Sequence, residues 1–142
     1  MAVTRIVRIS PILAVACSWV AAPVLAVCLE GHPTPEQEFR KSAAVVVGRV
    51  LSQKETPPPK SLNGWYEGTT YSIEVREIVH GSVPKQLSLF SENSTGRFPM
   101  RTGSTYLLFL YEQDSVLMVD NCGNSNKLEK ARSILTAVRK LK

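Results

Sequence analysis

Residues typical of catalytic and metal sites are scarce in this sequence of 142 residues. It contains three cysteines and two histidines, His32 and His80, whereas a zinc site usually takes three or four cysteine, histidine or carboxylate ligands. The motifs GxSxG, HExxH and CxxC and the glycine-rich phosphate loop are all missing. We therefore predict that the protein is not an enzyme and holds no metal or cofactor. A cleft that placed either histidine beside a carboxylate would reopen this question.

Acidic residues are missing from the first 29 positions. Arg5 and Arg8 precede an uncharged apolar stretch at 9–20, and Ala26 offers a small residue for cleavage. This order is typical of a secretory signal peptide. We predict that residues 1–26 are removed and that the protein is exported to a periplasmic or extracellular location.

Two alternatives concern the same segment. The uncharged stretch 9–29 is long enough to remain as a membrane anchor. Residues 25–28 also approach the motif for lipidation at Cys28. We expect contact with a membrane only in these two cases.

Cleavage would leave one domain at 27–142 with two of the three cysteines, Cys28 and Cys122. An even number of cysteines in an exported chain is most simply one disulfide, and the alternative is two free thiols. Without Arg5 and Arg8 the chain has 15 basic and 12 acidic residues, a net charge of +3. This excess is too small to argue for a nucleic acid as the partner.

Hydrophobic periodicity predicts a mainly β domain with two flanking helices. Thr34 can cap a short helix at 35–41, with Gln37 completing a capping box. Asn126 can cap a longer helix at 127–141, whose apolar residues recur at helical spacing. Strands are predicted at 43–51, 70–79, 86–90, 106–111 and 116–119. Five strands with both helices packed on them suggest an OB-fold-like Greek-key barrel.

Two local features of the strands are informative. Gly48 interrupts the first strand, which marks either a bulge or bend or a tolerated glycine. The alternation of the second strand slips at Arg76 and Glu77, which predicts a bulge there. The last two strands form a hairpin whose polar break is 112–114.

The connector at 52–69 carries Trp65 and Tyr66, next to three prolines at 57–59 and the turn signal Asn63-Gly64. Exposed aromatic residues on a loop are candidates for binding a partner. The alternative is that both rings fold back over the barrel.

One ordered pattern extends along nearly the whole predicted mature chain. Its residues are Cys28, Phe39, 45–50, 70–75, His80-Gly81, 103–109 and Asn121-Cys122. The phrase G-x-x-Y-L-L-F and the late cysteine are its most informative parts. This pattern resembles the netrin-like module, and in particular bacterial exported proteins similar to tissue inhibitors of metalloproteinases.

The resemblance implies a non-enzymatic binding module whose partner is a protein outside the cytoplasm, with a protease as one candidate. It makes Val27, Cys28 and Leu29 candidate partner-binding residues, together with Trp65 and Tyr66. One alternative is a true metalloproteinase inhibitor that chelates zinc through the N-terminal Cys28 segment. Another is a barrel that binds polysaccharide or nucleic acid, which the fold permits.

Overall fold

The computed structural model describes Cys28 and residues 31–142. The predicted signal peptide, Val27 and Leu29 lie outside the described residues. The described chain forms one antiparallel six-stranded sheet and two short helices. In chain order the elements are α1 (Pro35–Lys41), β1 (Ala44–Thr56), β2 (Gly68–Gly81), β3 (Gln86–Glu92), β4 (Thr105–Gln113), β5 (Val116–Val119), β6 (Asn126–Lys127), α2 (Arg132–Val138) and a 3₁₀ turn (Arg139–Leu141).

Helix α1 has the predicted bounds and the predicted cap. The Thr34 hydroxyl accepts a hydrogen bond from the Gln37 N–H, and the Gln37 side chain accepts one from the Thr34 N–H. These bonds satisfy two donors that a helix start otherwise leaves unpaired. Phe39 is buried and anchors the helix on the sheet.

The strand order in the sheet is β3-β2-β1-β4-β5, with β6 added to β4. The two end strands, β3 and β5, lie in contact, so the sheet curls toward closure. Within the central strands, residues 44–48 of β1 and 106–110 of β4 are buried on both faces. Val46 and Leu108 point into the curled sheet, whereas Val45, Val47 and Phe109 pack outward beneath the helices. Burial on both faces explains why these strands read as unbroken apolar runs.

The predicted bulge in β2 is confirmed. Val47 pairs with Glu77 and Gly48 pairs with Val75, so Arg76 is an additional residue opposite them. A Cβ atom on Gly48 would come within 2.5 Å of Ile73 Cγ2. Gly48 therefore leaves room for the Ile73 side chain of β2 rather than being merely tolerated.

The prediction of a longer C-terminal helix at 127–141 is wrong. Asn126 and Lys127 instead form β6, paired with Leu107 and Tyr106, and the Leu128 N–H bonds to the Thr105 carbonyl. Asn126 therefore caps no helix, and α2 has seven residues. Free backbone groups on β4 compete successfully with the local helical pattern, as tertiary contacts often do.

Strands β1 and β2 are also longer than predicted, because the polar stretch 52–56 pairs with 68–72. The Thr56 and Thr70 hydroxyls hydrogen-bond at 2.7 Å across this arm. Backbone pairing and this hydroxyl contact hold the polar residues in a strand, so no hydrophobic alternation marks the strand in the sequence. The remaining connector is 57–67.

This connector packs over the contact between β3 and β5. Leu62 is 1% exposed and lies in a cluster with Phe90 of β3 and Met118 of β5. Trp65 packs against the same cluster, whereas Tyr66 is 71% exposed. Of the two alternatives for this aromatic pair, folding back therefore holds for Trp65 and exposure holds for Tyr66.

Replacing Leu62 with alanine should lower the free energy of unfolding by about 2–4 kcal/mol, because the cavity would open at the contact of three elements. Urea denaturation followed by circular dichroism measures the change. Leu51→Ala is the matched control, since Leu51 is 42% exposed and should cost much less. Equal losses for the two variants would contradict the anchoring role of Leu62.

Candidate functional site

The Cys28–Cys122 disulfide is present and joins the N-terminal segment to the chain after β5. The two Cα atoms are 5.7 Å apart, and 94 positions separate the cysteines in sequence. His32 Nδ1 lies 2.9 Å from the Cys122 carbonyl oxygen. This hydrogen bond is a second link between the N-terminal segment and the chain after β5. The Gly31 N–H donates a hydrogen bond to the Cys28 carbonyl.

The disulfide borders a cleft of about 910 Å³ between α1 and the ends of β4 and β5. Glu38, Tyr111 and Asp120 line the cleft, and Arg40 and Lys41 from α1 are exposed along it. Phe109 is its buried apolar wall. The cleft is large enough for several side chains of a partner, by comparison with ordinary ligand sites.

Glu38 ties α1 to the segment after the disulfide. One carboxylate oxygen accepts hydrogen bonds from the Asn124 N–H at 2.6 Å and from Asn124 Nδ2 at 2.7 Å. Asn124 Nδ2 also donates to the Pro33 carbonyl. Burial raises the pKa of Glu38 above its ordinary value of 4.5, and it outweighs the opposing effect of the Asn124 hydrogen bonds.

The raised pKa of Glu38 predicts a pH dependence of stability. Between its ordinary and its raised pKa the folded state binds more protons than the unfolded state, so stability falls as pH rises through this window. Wild type should therefore lose stability relative to Glu38→Gln between about pH 4.5 and the raised pKa, and the difference should then stay constant.

Urea unfolding from pH 4 to pH 8 measures this difference. Glu36→Gln is the control for removing a carboxyl group from the same helix, because Glu36 is exposed. A difference that grows in favour of wild type as pH rises would mean that the Asn124 hydrogen bonds prevail over burial.

A smaller cavity of about 270 Å³ adjoins the cleft and shares Tyr111 and Asp120 with it. Trp65 and Glu92 line its other side. One Glu92 oxygen accepts the Tyr66 N–H at 2.9 Å, which places Tyr66 at the edge of this region. Burial raises the pKa of Tyr111, and the charges of Asp120 and Glu92 raise it further.

The structure thus brings Cys28 and the Trp65–Tyr66 pair to neighbouring sites, although 37 positions separate Cys28 from Trp65 in the sequence. Sequence reasoning did not select the other site residues, which are Glu38, Glu92, Tyr111, Asp120 and Asn124. These residues form no recognisable sequence motif, and they come close together only because of how β3, β4 and β5 meet. Only the apolar run that ends near Tyr111 pointed to this part of the chain.

The two histidines have different surroundings. His32 lines the cleft that also contains Glu38 and Asp120, but its hydrogen bond is to the Cys122 carbonyl and Glu38 is held by Asn124. His80 packs against Phe39 with the two rings tilted by 43° and their centroids 4.6 Å apart. Within Cys28 and 31–142, no group of three or more His, Cys, Asp or Glu side chains is arranged to hold a metal ion.

A scan against protein-family models and a search of the curated proteins both found no match for this chain. Among the helices of the described residues, none has the length and apolar character needed to cross a membrane.

Proposed function

We propose that the protein is an exported, non-enzymatic binding module of the netrin-like class, and that its partner is a protein outside the cytoplasm. The observation that carries this proposal is the disulfide that pins the N-terminal segment beside the 910 Å³ cleft. A pinned segment and a short capped helix give the cleft fixed walls, and fixed walls reduce the entropy that binding costs.

The strand order supports a five-stranded OB-like barrel. Strands β1, β2 and β3 follow one another in the sheet, β4 returns to the free side of β1, and β5 continues beside β4. Contact between β3 and β5 is what a closing Greek-key barrel requires. The helices α1 and α2 cover one outer face of this barrel through a second apolar cluster.

Export is supported by the disulfide, because such bonds persist mainly in oxidising compartments. The sulfur of Cys28 that forms the bond is also the atom that a lipid anchor would modify, so one molecule cannot have both. N-terminal sequencing of the secreted protein tests export directly. The expected first residue is Val27, and a chain starting there would exclude zinc chelation by an amino group on Cys28.

Site-specific photo-crosslinking tests the binding role. A photoreactive amino acid at Lys41, beside the cleft, should give a discrete crosslinked product with a protein of the native extracytoplasmic fraction. The same group at Lys85 is the control, because Lys85 is exposed and lines neither cavity. Equal crosslinking at both positions, or none at Lys41, would contradict the proposal.

A further inference from the structure

The 270 Å³ cavity has a chemistry that differs from the rest of the surface. Two aromatic side chains, Trp65 and Tyr111, form its walls, and Met118 contributes to its apolar floor. Both aromatic rings are only partly buried, so each keeps some surface that a bound group can reach. The cavity is therefore preformed by packed residues rather than by mobile surface side chains.

Two carboxylates, those of Glu92 and Asp120, also line this cavity. Glu92 accepts the Tyr66 N–H with one oxygen, and Asp120 accepts the Cys122 N–H with one oxygen at 2.8 Å. These backbone bonds fix both carboxylates in place. In the described part of the chain, the second oxygen of each has no hydrogen bond and neither carboxylate has a salt bridge.

Among the residues that the structure describes, no Lys or Arg lines the cavity, although basic residues exceed acidic ones in the chain as a whole. The raised pKa of Tyr111 is consistent with this local negative charge, since both carboxylates contribute to it after burial. Asp120 is exposed and Glu92 is half-buried, so a cationic group would gain charge-assisted hydrogen bonds here, whereas an anionic one would be repelled.

We propose that this cavity receives an arginine side chain of the partner protein, an inference that rests on the proposed function. A guanidinium group is planar, stacks on aromatic rings and donates several hydrogen bonds to carboxylates. Trp65 and Tyr111 supply the rings, and Glu92 and Asp120 supply fixed acceptors. The exposed Tyr66 beside the cavity adds contact surface for the residues that flank the arginine.

The probe is the peptide acetyl-Gly-Arg-Gly-amide, titrated into ¹⁵N-labelled protein and followed by NMR. The matched peptide carries citrulline, which has the same shape without the charge. The arginine peptide should shift the Trp65 indole N–H resonance and those around Tyr111, and the citrulline peptide should bind at least fivefold more weakly. Equal binding of both peptides, or shifts elsewhere only, would overturn the proposal.

Variants locate the site. Glu92→Gln keeps an acceptor for the Tyr66 N–H but removes the charge, so it should weaken arginine-peptide binding at least threefold. Glu129→Gln removes an exposed carboxylate outside this cavity and should change binding little. If the two variants bind equally well, Glu92 does not hold the guanidinium.

The same variants separate this inference from the proposed function. If Glu92→Gln loses peptide binding but gives the Lys41 crosslink in undiminished yield at subsaturating partner concentration, the cavity binds arginine without contributing to the partner. That result overturns the inference and leaves the binding module standing. If the arginine peptide binds as expected and no partner is crosslinked at Lys41, the inferred cavity chemistry is correct and the proposed function fails.

Discussion

Replacing Cys28 and Cys122 together with serine should lower the free energy of unfolding by about 2–5 kcal/mol. The disulfide closes a loop across 94 positions, and the chain-entropy model assigns about 4–5 kcal/mol to a loop of that size. The loss is large compared with the whole stability of a small domain, which is about 5–15 kcal/mol. Chemical denaturation of the double variant and of wild type measures it.

Reduction provides the control for this prediction. Dithiothreitol should destabilise wild type by about as much as the double substitution does, and it should leave the double variant unchanged. Mass spectrometry under non-reducing conditions should find no free thiol at either position. Two free thiols in the exported protein, or a variant as stable as wild type, would contradict the role of the disulfide.

Phe109→Ala should cost about 3–5 kcal/mol, because Phe109 is 1% exposed and lies in the cluster that joins the sheet to the helices. Its ring packs in the same cluster as Phe39 of α1 and Leu135 of α2. Its backbone N–H bonds to the Ser125 hydroxyl at 2.9 Å, and the substitution leaves that bond in place. The loss therefore reports packing alone.

Urea denaturation measures this loss, and hydrogen exchange should show faster opening of α2. Phe109→Leu retains most of the volume and should cost clearly less. Tyr66→Ala removes an aromatic ring that is 71% exposed and should stay within about 0.5 kcal/mol of wild type. If Phe109→Ala lowers the free energy of unfolding by less than about 1 kcal/mol, the helices do not depend on this contact.

Local chemistry made several elements predictable. The Thr34–Gln37 capping box defines α1, and the hairpin of β4 and β5 follows from two apolar runs around a polar break. The turn of that hairpin consists of Asp114 and Ser115, whose φ angles are +49° and +64° respectively. A two-residue turn between antiparallel strands favours such positive φ angles. Such features depend on residues close together in the chain.

The C-terminal region shows where this reasoning failed. The apolar spacing at 127–141 is helical, yet the first residues pair with β4 and only Arg132–Val138 forms α2. Helical spacing of apolar residues shows that they could share one face of a helix. It carries no information about the free N–H and C=O groups of a neighbouring strand, which can pair with the same backbone. Residues 52–56 of β1 were not predicted as part of a strand for the same reason, because they are held by pairing with 68–72 of β2.

The order of residues along the chain was enough to predict the β-rich class, helix α1, the bulge at Arg76 and the pairing of Cys28 with Cys122. Each follows from short-range periodicity, local hydrogen bonding or the number of cysteines. The two cavities required the fold, because Glu38, Glu92 and Tyr111 come from different elements. Glu92 and Asp120 come to lie beside the partly buried rings of Trp65 and Tyr111 only because the curled sheet brings β3 to β5, which depends on long-range packing.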